Sequence, residues 1–184
     1  MDIKKVAVLG SGVMGSGIAA LCAHAGLDVI LMDIVPKDAA DRNMLPKGAI
    51  EKQLAGATPG FTHKKNAKRV TPMNFEDDLA KLGECDWIIE AVLEKIEVKH
   101  DVYAKVESVR KDGSIVSSNT STIPLHVLIG GMPKRFQNDF CITHFFNPPR
   151  FMRLLEVTKS AGFDPAKYDA LKRFADETLG KGVV

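Results

Sequence analysis

The chain has 184 residues, of which 45% are hydrophobic and 26% charged, a composition typical of a soluble globular domain with a substantial core. Its 25 basic and 23 acidic residues give a formal net charge of +2, too balanced for a nucleic-acid-binding surface across the whole domain. The apolar run 6–9 is too short for a signal segment or a membrane span. We therefore expect no membrane association. Three widely spaced cysteines predict neither a disulfide framework nor a metal site, so we expect reduced thiols and a cytoplasmic setting.

Strands and helices are predicted to alternate over the first two-thirds of the chain. The predicted strands cover residues 3–9, 27–32, 69–73, 87–93, 114–118, 140–146 and 154–158. The predicted helices cover residues 13–25, 37–55 with a possible break at Pro46, 75–82 as a helix or turn, 98–110, 125–129 and 165–179. Residues 56–69 are predicted to form a loop. This order favours an α/β fold of Rossmann type, with a doubly wound, mainly parallel sheet and an antiparallel hairpin near the C-terminal end.

A glycine-rich turn follows the first predicted strand and opens the first helix. Residues 10–15 fit the pattern G-x-G-x-x-G, in which Gly10 allows the tight turn, Gly12 lets the backbone approach a pyrophosphate and Gly15 lets helix and strand pack closely. Asp33, 18 residues past Gly15, can accept hydrogen bonds from both adenosine ribose hydroxyls and would repel a 2′-phosphate. The pattern therefore favours NAD over NADP. A glycine turn without a ligand and a methyltransferase that binds S-adenosylmethionine are the alternatives.

A histidine and a carboxylate lie at opposite ends of the predicted hairpin. If its arms pair about Arg150, His144 and Glu156 face each other, with Cβ atoms about 4.5–5.5 Å apart. A carboxylate at that distance can hold the imidazole in one tautomer and strengthen it as a general base. A single histidine in a strand is more often structural, so the pair rather than His144 alone predicts catalysis.

Four motifs together resemble the N-terminal NAD-binding domain of the L-3-hydroxyacyl-CoA dehydrogenase family. They are the glycine loop 10–15, Glu90-Ala91-Val92-Leu93-Glu94, Ser118-Asn119-Thr120-Ser121, and His144-Phe145-Phe146-Asn147-Pro148-Pro149 with Glu156. They occur in the family's order and span nearly the whole chain. The resemblance implies an oxidoreductase that interconverts (S)-3-hydroxyacyl-CoA and 3-oxoacyl-CoA with NAD, in fatty-acid β-oxidation or short-chain 3-hydroxybutyryl-CoA metabolism.

The resemblance also implies roles for individual residues. His144 would be the general base, and Glu156 would orient it. Ser121 would hydrogen-bond the substrate oxygen near the nicotinamide, and Asn147 would help to hold the cofactor. The other residues implied to contact NAD are Gly10, Gly12, Val13, Met14, Gly15 and Asp33 around the glycine loop, and Ala91, Glu94 and Lys99 around the nicotinamide.

Two parts of the family pattern are not matched. Residues 37–75 match poorly, and the basic run 63–69 could meet a coenzyme A phosphate, although a solvated loop is the simpler interpretation. Family members continue into a helical domain that closes the cleft, supplies an asparagine and forms the dimer interface, whereas residues 180–184 resemble the start of a strand. We therefore expect residues 1–184 to be one NAD-binding domain of a longer protein, weakly active by itself.

The parent protein would be a homodimer through that missing domain, or a multifunctional chain fused to an enoyl-CoA hydratase. Two other functions stay open at this point. One is a non-catalytic NAD-binding module, and the other is a dehydrogenase of another hydroxy acid. The pair of His144 and Glu156 argues against the first, since a sensor has no use for a base.

Overall fold

A computed structural model describes residues 2–55 and 59–184. The strands are β1 (Lys5–Leu9), β2 (Asp28–Asp33), β3 (Val70–Asn74), β4 (Trp87–Glu90), β5 (Ile115–Ser118), β6 (Phe140–Phe145), β7 (Leu154–Lys159) and β8 (Gly182–Val183). The α-helices are α1 (Val13–His24), α2 (Met44–Ala55), α3 (Lys64–Ala67), α4 (Ile96–Val109), α5 (Leu125–Leu128), α6 (Lys134–Asp139) and α7 (Pro165–Glu177), and a 3-10 helix covers Leu79–Glu84.

The strands form one sheet in the order β3-β2-β1-β4-β5-β6-β7-β8. Neighbouring strands from β3 to β6 run parallel, β6 and β7 run antiparallel, and β8 runs parallel to β7. This arrangement confirms the predicted doubly wound sheet with an antiparallel hairpin. It also brings the carboxyl ends of β1, β2, β4, β5 and β6 to a single edge, which is where ligands of open α/β sheets bind.

The sheet is buried on both faces because successive side chains of a strand point in opposite directions. In β1, Val6 and Val8 belong to a core cluster that includes residues of α1 and α7, whereas Ala7 and Leu9 belong to a second cluster with α4. All four side chains are fully buried. A strand covered on both faces lacks the alternation of polar and apolar residues, and residues 6–9 of β1 are accordingly all apolar.

The predicted helix over residues 37–55 is wrong in its first part, since α2 begins at Met44. Residues 37–43 form turns and bends instead, and Asp38 has a left-handed backbone with φ of 58°. Asp41 stabilises this turn by accepting the N–H of Asn43 on its carboxylate, 3.0 Å away. Pro46 does not break the helix, because it lies in the first turn, where backbone N–H groups have no intrahelical partner.

Other boundaries also differ from the prediction. The strand predicted over 87–93 ends at Glu90, and the predicted loop 56–69 contains the short helix α3, with residues 56–58 outside the described part of the chain. The helix α6, which precedes the hairpin, was not predicted. None of the helices in the ranges 2–55 and 59–184 is both long enough and apolar enough to cross a membrane.

The C-terminal strand β8 is tied to the turn of the hairpin by Lys181. This lysine is 2% exposed, and its ammonium donates hydrogen bonds to the carbonyl oxygens of Pro149 and Met152, the second at 2.6 Å. It also lies 5.8 Å from the ring centroid of Phe145. Burial lowers the pKa of Lys181, yet the two carbonyl oxygens satisfy the charged group. The hairpin turn therefore depends on residues that follow the last helix.

Candidate active site

The glycine loop has the geometry of a nucleotide-binding turn. Gly10 has φ of +97°, and a Cβ there would lie 2.5 Å from the carbonyl oxygen of Ala91. A Cβ on Gly15 would lie 1.8 Å from the carbonyl oxygen of Gly10, so the close contact of α1 with the loop requires glycine. A Cβ on Gly12 would meet nothing within 4 Å. Gly12 therefore borders open space at the N-terminus of α1, where backbone N–H groups can hold a pyrophosphate.

Asp33 lies at the end of β2, beside the glycine loop. Its carboxylate accepts a hydrogen bond from the backbone N–H of Ser11 at 2.6 Å, as well as one from the Ser11 hydroxyl. The other carboxylate oxygen accepts the N–H of Ile34 at 2.7 Å. Asp33 thus fixes the loop and, being only partly buried, stays accessible to the hydroxyls of a ribose.

A cavity of about 660 Å³ opens over the loop and Asp33. Its walls include eight residues that were not predicted to contact the cofactor: Ile34, Phe75, Val92, Leu93, Val98, Asp101, Val102 and Lys105. Most are apolar and follow the ends of strands or belong to α4, which suits the flat faces of an adenine ring. The position of Ile34, Phe75, Val92 and Leu93 soon after the ends of strands was a signal that could have found them, whereas the residues of α4 depend on how that helix packs.

A second cavity, of about 300 Å³, shares Gly12, Ala91 and Val92 with the first. It brings together predicted cofactor residues from separate parts of the chain, namely Gly12, Val13, Met14, Ala91, Glu94 and Lys99. Val92 and Asn119 complete the wall. Because the first cavity contains Asp33, this one is the candidate site for the nicotinamide half of the cofactor.

A buried carboxylate organises the wall of this second cavity. Glu90, the last residue of β4, is 0% exposed and accepts hydrogen bonds on both oxygens. The donors are the Val92 N–H at 2.8 Å, the Lys99 ammonium at 2.8 and 3.0 Å, the Tyr103 hydroxyl at 2.8 Å and the Ser118 hydroxyl at 2.6 Å. Burial together with the nearby Glu90 charge raises the pKa of Tyr103, so its hydroxyl stays a donor.

Glu94 connects the second cavity with the loop after β5. Its carboxylate lies 3.0 Å from the Lys99 ammonium and accepts hydrogen bonds from the hydroxyls of Thr120 and Thr122, the latter at 3.0 Å. Partial burial raises the pKa of Glu94, but the hydrogen bonds from Thr120 and Lys99 outweigh that effect and hold the pKa below its usual 4.5. Glu94 is therefore ionised at neutral pH. Neither threonine was predicted to have a role, because the sequence does not show that their hydroxyls reach Glu94 across the folded loop.

The hairpin pairs as the sequence predicts, with His144 of β6 directly opposite Glu156 of β7. His144 Nδ1 lies 2.8 Å from Glu156 Oε2, and the two side chains are 21% and 49% exposed. A neutral imidazole that donates from Nδ1 leaves the Nε2 lone pair free to accept a proton. This arrangement can act chemically as an oriented base at the carboxyl end of the sheet.

A third cavity, of about 380 Å³, contains the hairpin pair and the predicted serine. Ser121, His144 and Glu156 line it together with Thr120, Thr122, Ile142 and Thr158, among others. Asn119, to which the sequence analysis also gave no role, accepts the N–H of Phe145 at 2.9 Å and so ties the loop after β5 to β6. Asn147 lies just past β6, and its contact with the cofactor stays a prediction.

The basic run 63–69 lies on and around α3. His63 caps this helix by accepting the N–H of Lys65 at 3.0 Å, and Lys64, Lys65 and Lys68 are exposed.

In the described ranges, no group of three or more histidine, cysteine, aspartate or glutamate side chains could hold a metal ion. All three cysteines are buried and form no disulfide, and burial raises the pKa of Cys22 and of Cys85 to about 12.

Comparison with known proteins agrees with this geometry. A family model described as the NAD-binding domain of 3-hydroxyacyl-CoA dehydrogenase matches residues 5–184. A probable 3-hydroxyacyl-CoA dehydrogenase of Deinococcus radiodurans is 48% identical over 184 residues, which cover 100% of this chain and 53% of that protein. A putative fatty acid oxidation complex trifunctional enzyme of Rickettsia felis is 42% identical over 186 residues, covering 100% of this chain and 25% of that protein.

The fold also matches a solved structure. The crystal structure of 3-hydroxybutyryl-CoA dehydrogenase from Escherichia coli K12 superposes with a TM-score of 0.83 and 27% identity, covering 100% of this chain and 38% of that one. This chain thus spans about half the length of the Deinococcus relative and a smaller share of the others. With the family model matched along nearly its whole length, the chain belongs to the 3-hydroxyacyl-CoA dehydrogenase family, as an NAD-binding domain.

Proposed function

We propose that this chain is the catalytic NAD-binding domain of an enzyme that interconverts (S)-3-hydroxyacyl-CoA and 3-oxoacyl-CoA. The 2.8 Å contact between His144 and Glu156 carries the proposal, because a base oriented in this way serves proton transfer from an alcohol. Ser121 lines the same cavity as this pair. The candidate nicotinamide cavity is lined by Glu94, which accepts hydrogen bonds from Thr120 and Thr122 of the catalytic cavity.

The chain's residues divide the work of alcohol oxidation between them. NAD, when bound, supplies the hydride acceptor, which no side chain can provide. His144 accepts the proton of the 3-hydroxyl on Nε2 as the carbonyl forms at C3, and Glu156 stabilises the resulting imidazolium. Ser121 donates a hydrogen bond to the substrate oxygen. In the reverse direction, His144 returns the proton to the 3-oxo oxygen.

The cleft of this domain is open, since Glu156 is 49% exposed. General acid–base chemistry is more effective when water is excluded from the reacting groups. We therefore propose that sequence corresponding to the remaining half of the Deinococcus relative closes the cleft, and that residues 1–184 alone bind NAD but turn over slowly. A cytoplasmic enzyme that is either a homodimer or part of a multifunctional chain fits this proposal.

The test is a chimera that joins residues 1–184 to the remaining segment of the Deinococcus radiodurans relative. We expect the chimera to reduce acetoacetyl-CoA with NADH, which is measured as a loss of NADH absorbance. Residues 1–184 alone should bind NADH in a calorimetric titration but show little turnover. A matched His144→Ala chimera should bind NADH equally and lose the activity.

Two outcomes would contradict the proposal. An active chimera that oxidises only a hydroxy acid without coenzyme A, such as a sugar acid, would indicate a dehydrogenase of another hydroxy acid. A folded chimera that binds NADH but acts on neither kind of substrate would indicate a non-catalytic NAD-binding module.

A further inference from the structure

Three charged side chains at the end of β4 and the start of α4 form a chain with one surplus negative charge. The Lys99 ammonium lies 2.8 Å from the Glu90 carboxylate and 3.0 Å from that of Glu94. One lysine cannot neutralise two carboxylates. Lys99 and Glu90 are 1% and 0% exposed, whereas Glu94 is 42% exposed. The surplus charge therefore reaches the surface of the cofactor cavity through Glu94.

Both carboxylates are supplied with hydrogen-bond donors, and the lowered pKa of Glu94 keeps that carboxylate ionised at neutral pH. Glu90 accepts hydrogen bonds from Tyr103 and Ser118 in addition to Lys99, which compensates an ionised carboxylate for its burial. Glu94 accepts hydrogen bonds from Thr120 and Thr122 in addition to Lys99. Neither carboxylate needs a proton to satisfy its surroundings.

Glu94 stands between the cofactor and the catalytic cavities. It lines the second cavity together with Gly12, Ala91 and Asn119, and its two threonine donors line the cavity of His144. A nicotinamide bound in the second cavity would therefore lie beside Glu94. Asp33 and the N-terminus of α1, in contrast, serve the adenosine and phosphate parts, which are identical in NAD⁺ and NADH.

Resting on the function proposed above, we propose that Glu94 makes this domain prefer the oxidised cofactor. The nicotinamide ring of NAD⁺ carries a positive charge, and that of NADH is neutral, so a fixed negative charge beside the ring stabilises only the oxidised form. A partly screened interaction of this kind near a protein surface changes an affinity roughly three- to tenfold. The preference would favour loading with NAD⁺, and hence oxidation of the hydroxyacyl group, from a mixed pool.

The experiment measures the dissociation constants of NAD⁺ and NADH by calorimetry, at a mildly alkaline pH and low salt, for residues 1–184 and three variants. In Glu94→Gln, the amide oxygen can still accept from Thr120 and Thr122, but the surplus charge is gone. We expect the ratio Kd(NADH)/Kd(NAD⁺) to fall roughly three- to tenfold in this variant. Glu94→Asp keeps the charge and should keep most of the ratio.

The matched control is Asp33→Asn, which should weaken the binding of NAD⁺ and of NADH equally and leave the ratio of their dissociation constants unchanged. The proposal would be overturned if the ratio Kd(NADH)/Kd(NAD⁺) were the same in the original chain and in Glu94→Gln. It would also be overturned if this ratio fell equally in Glu94→Gln and in Glu94→Asp. Neither result would touch the proposed dehydrogenase activity. Failure of the original, folded chain to bind either form would instead overturn both the proposal and the function on which it rests.

Discussion

His144 and Glu156 occupy directly paired positions on β6 and β7, and 2.8 Å separates Nδ1 of the histidine from Oε2 of the glutamate. The backbone register of two antiparallel strands therefore fixes the orientation of the base.

The first prediction concerns this pair. In the chimera, His144→Ala should lower kcat by about 10²- to 10⁴-fold, because the proton of the alcohol loses its acceptor. Glu156→Gln should lower kcat less, by about 10- to 100-fold, because the imidazole stays in place but its charged form is less stabilised. Steady-state kinetics and calorimetric NADH binding measure both effects. Normal turnover in Glu156→Gln would show that the strand pairing alone orients the base.

The second prediction separates binding from folding at the glycine loop. Gly12→Ala should leave the melting temperature nearly unchanged, since a Cβ there meets no atom within 4 Å, yet weaken NAD binding by about tenfold or more by occupying the space of the pyrophosphate. Gly15→Ala should lower the melting temperature, because its Cβ would lie 1.8 Å from a carbonyl oxygen. Gly48→Ala in α2, also without contacts, is the control and should impair neither binding nor stability. Tight NAD binding by Gly12→Ala would exclude the loop as the phosphate site.

The third prediction concerns the choice between NAD and NADP. Asp33→Asn should weaken NAD binding. It should also reduce the ratio of NAD affinity to NADP affinity roughly tenfold, because the repulsion of a 2′-phosphate disappears. The loop should keep its shape in this variant, since an amide oxygen at the same position can still accept the backbone N–H of Ser11. Competitive titrations with both cofactors measure the preference. An unchanged preference would place the discriminating residue elsewhere.

The fourth prediction concerns stability against pH. Partial burial raises the pKa of Asp86, but the Lys111 ammonium and the backbone N–H groups of Lys5 and Lys4 outweigh it and hold the pKa below its ordinary 3.8. The carboxylate therefore stabilises the fold above pH 3.8, and the contribution is lost as the pH falls through the lowered pKa. Asp86→Asn should cost about 1–2 kcal/mol of unfolding free energy at about pH 7 and much less near pH 2. Denaturant titrations at both values test this, and a difference independent of pH would contradict it.

The sequence predicts the sheet and the hairpin well because both depend on local patterns. Apolar runs mark the buried strands. The register of His144 opposite Glu156 follows because the two residues are equally far along the chain from Arg150, at the middle of the predicted hairpin. The start of α2 at Met44 does not follow from such a pattern, because the left-handed backbone at Asp38 and the hydrogen bond from Asn43 to Asp41 belong to turns that an apolar period does not reveal.

Contacts between distant elements could not be predicted in the same way. The local pattern marks Glu90 only as a residue of a strand, yet it joins Lys99, nine positions away, and Ser118, 28 positions away. The adenosine cavity similarly takes Phe75 from beyond β3 and Lys105 from α4. Which of these side chains meet depends on the packing of α4 against the sheet, and that is a property of the whole fold.

Lys181 gives the segment after α7 a role in the geometry of the active site. Shortening the domain to end at residue 180 would keep every residue proposed to touch substrate or cofactor. It would nevertheless leave the carbonyl groups of Pro149 and Met152 without their buried donor and remove the strand that borders β7. The minimal cofactor-binding unit therefore extends past its last long helix, and engineered fusions should retain the chain through residue 184.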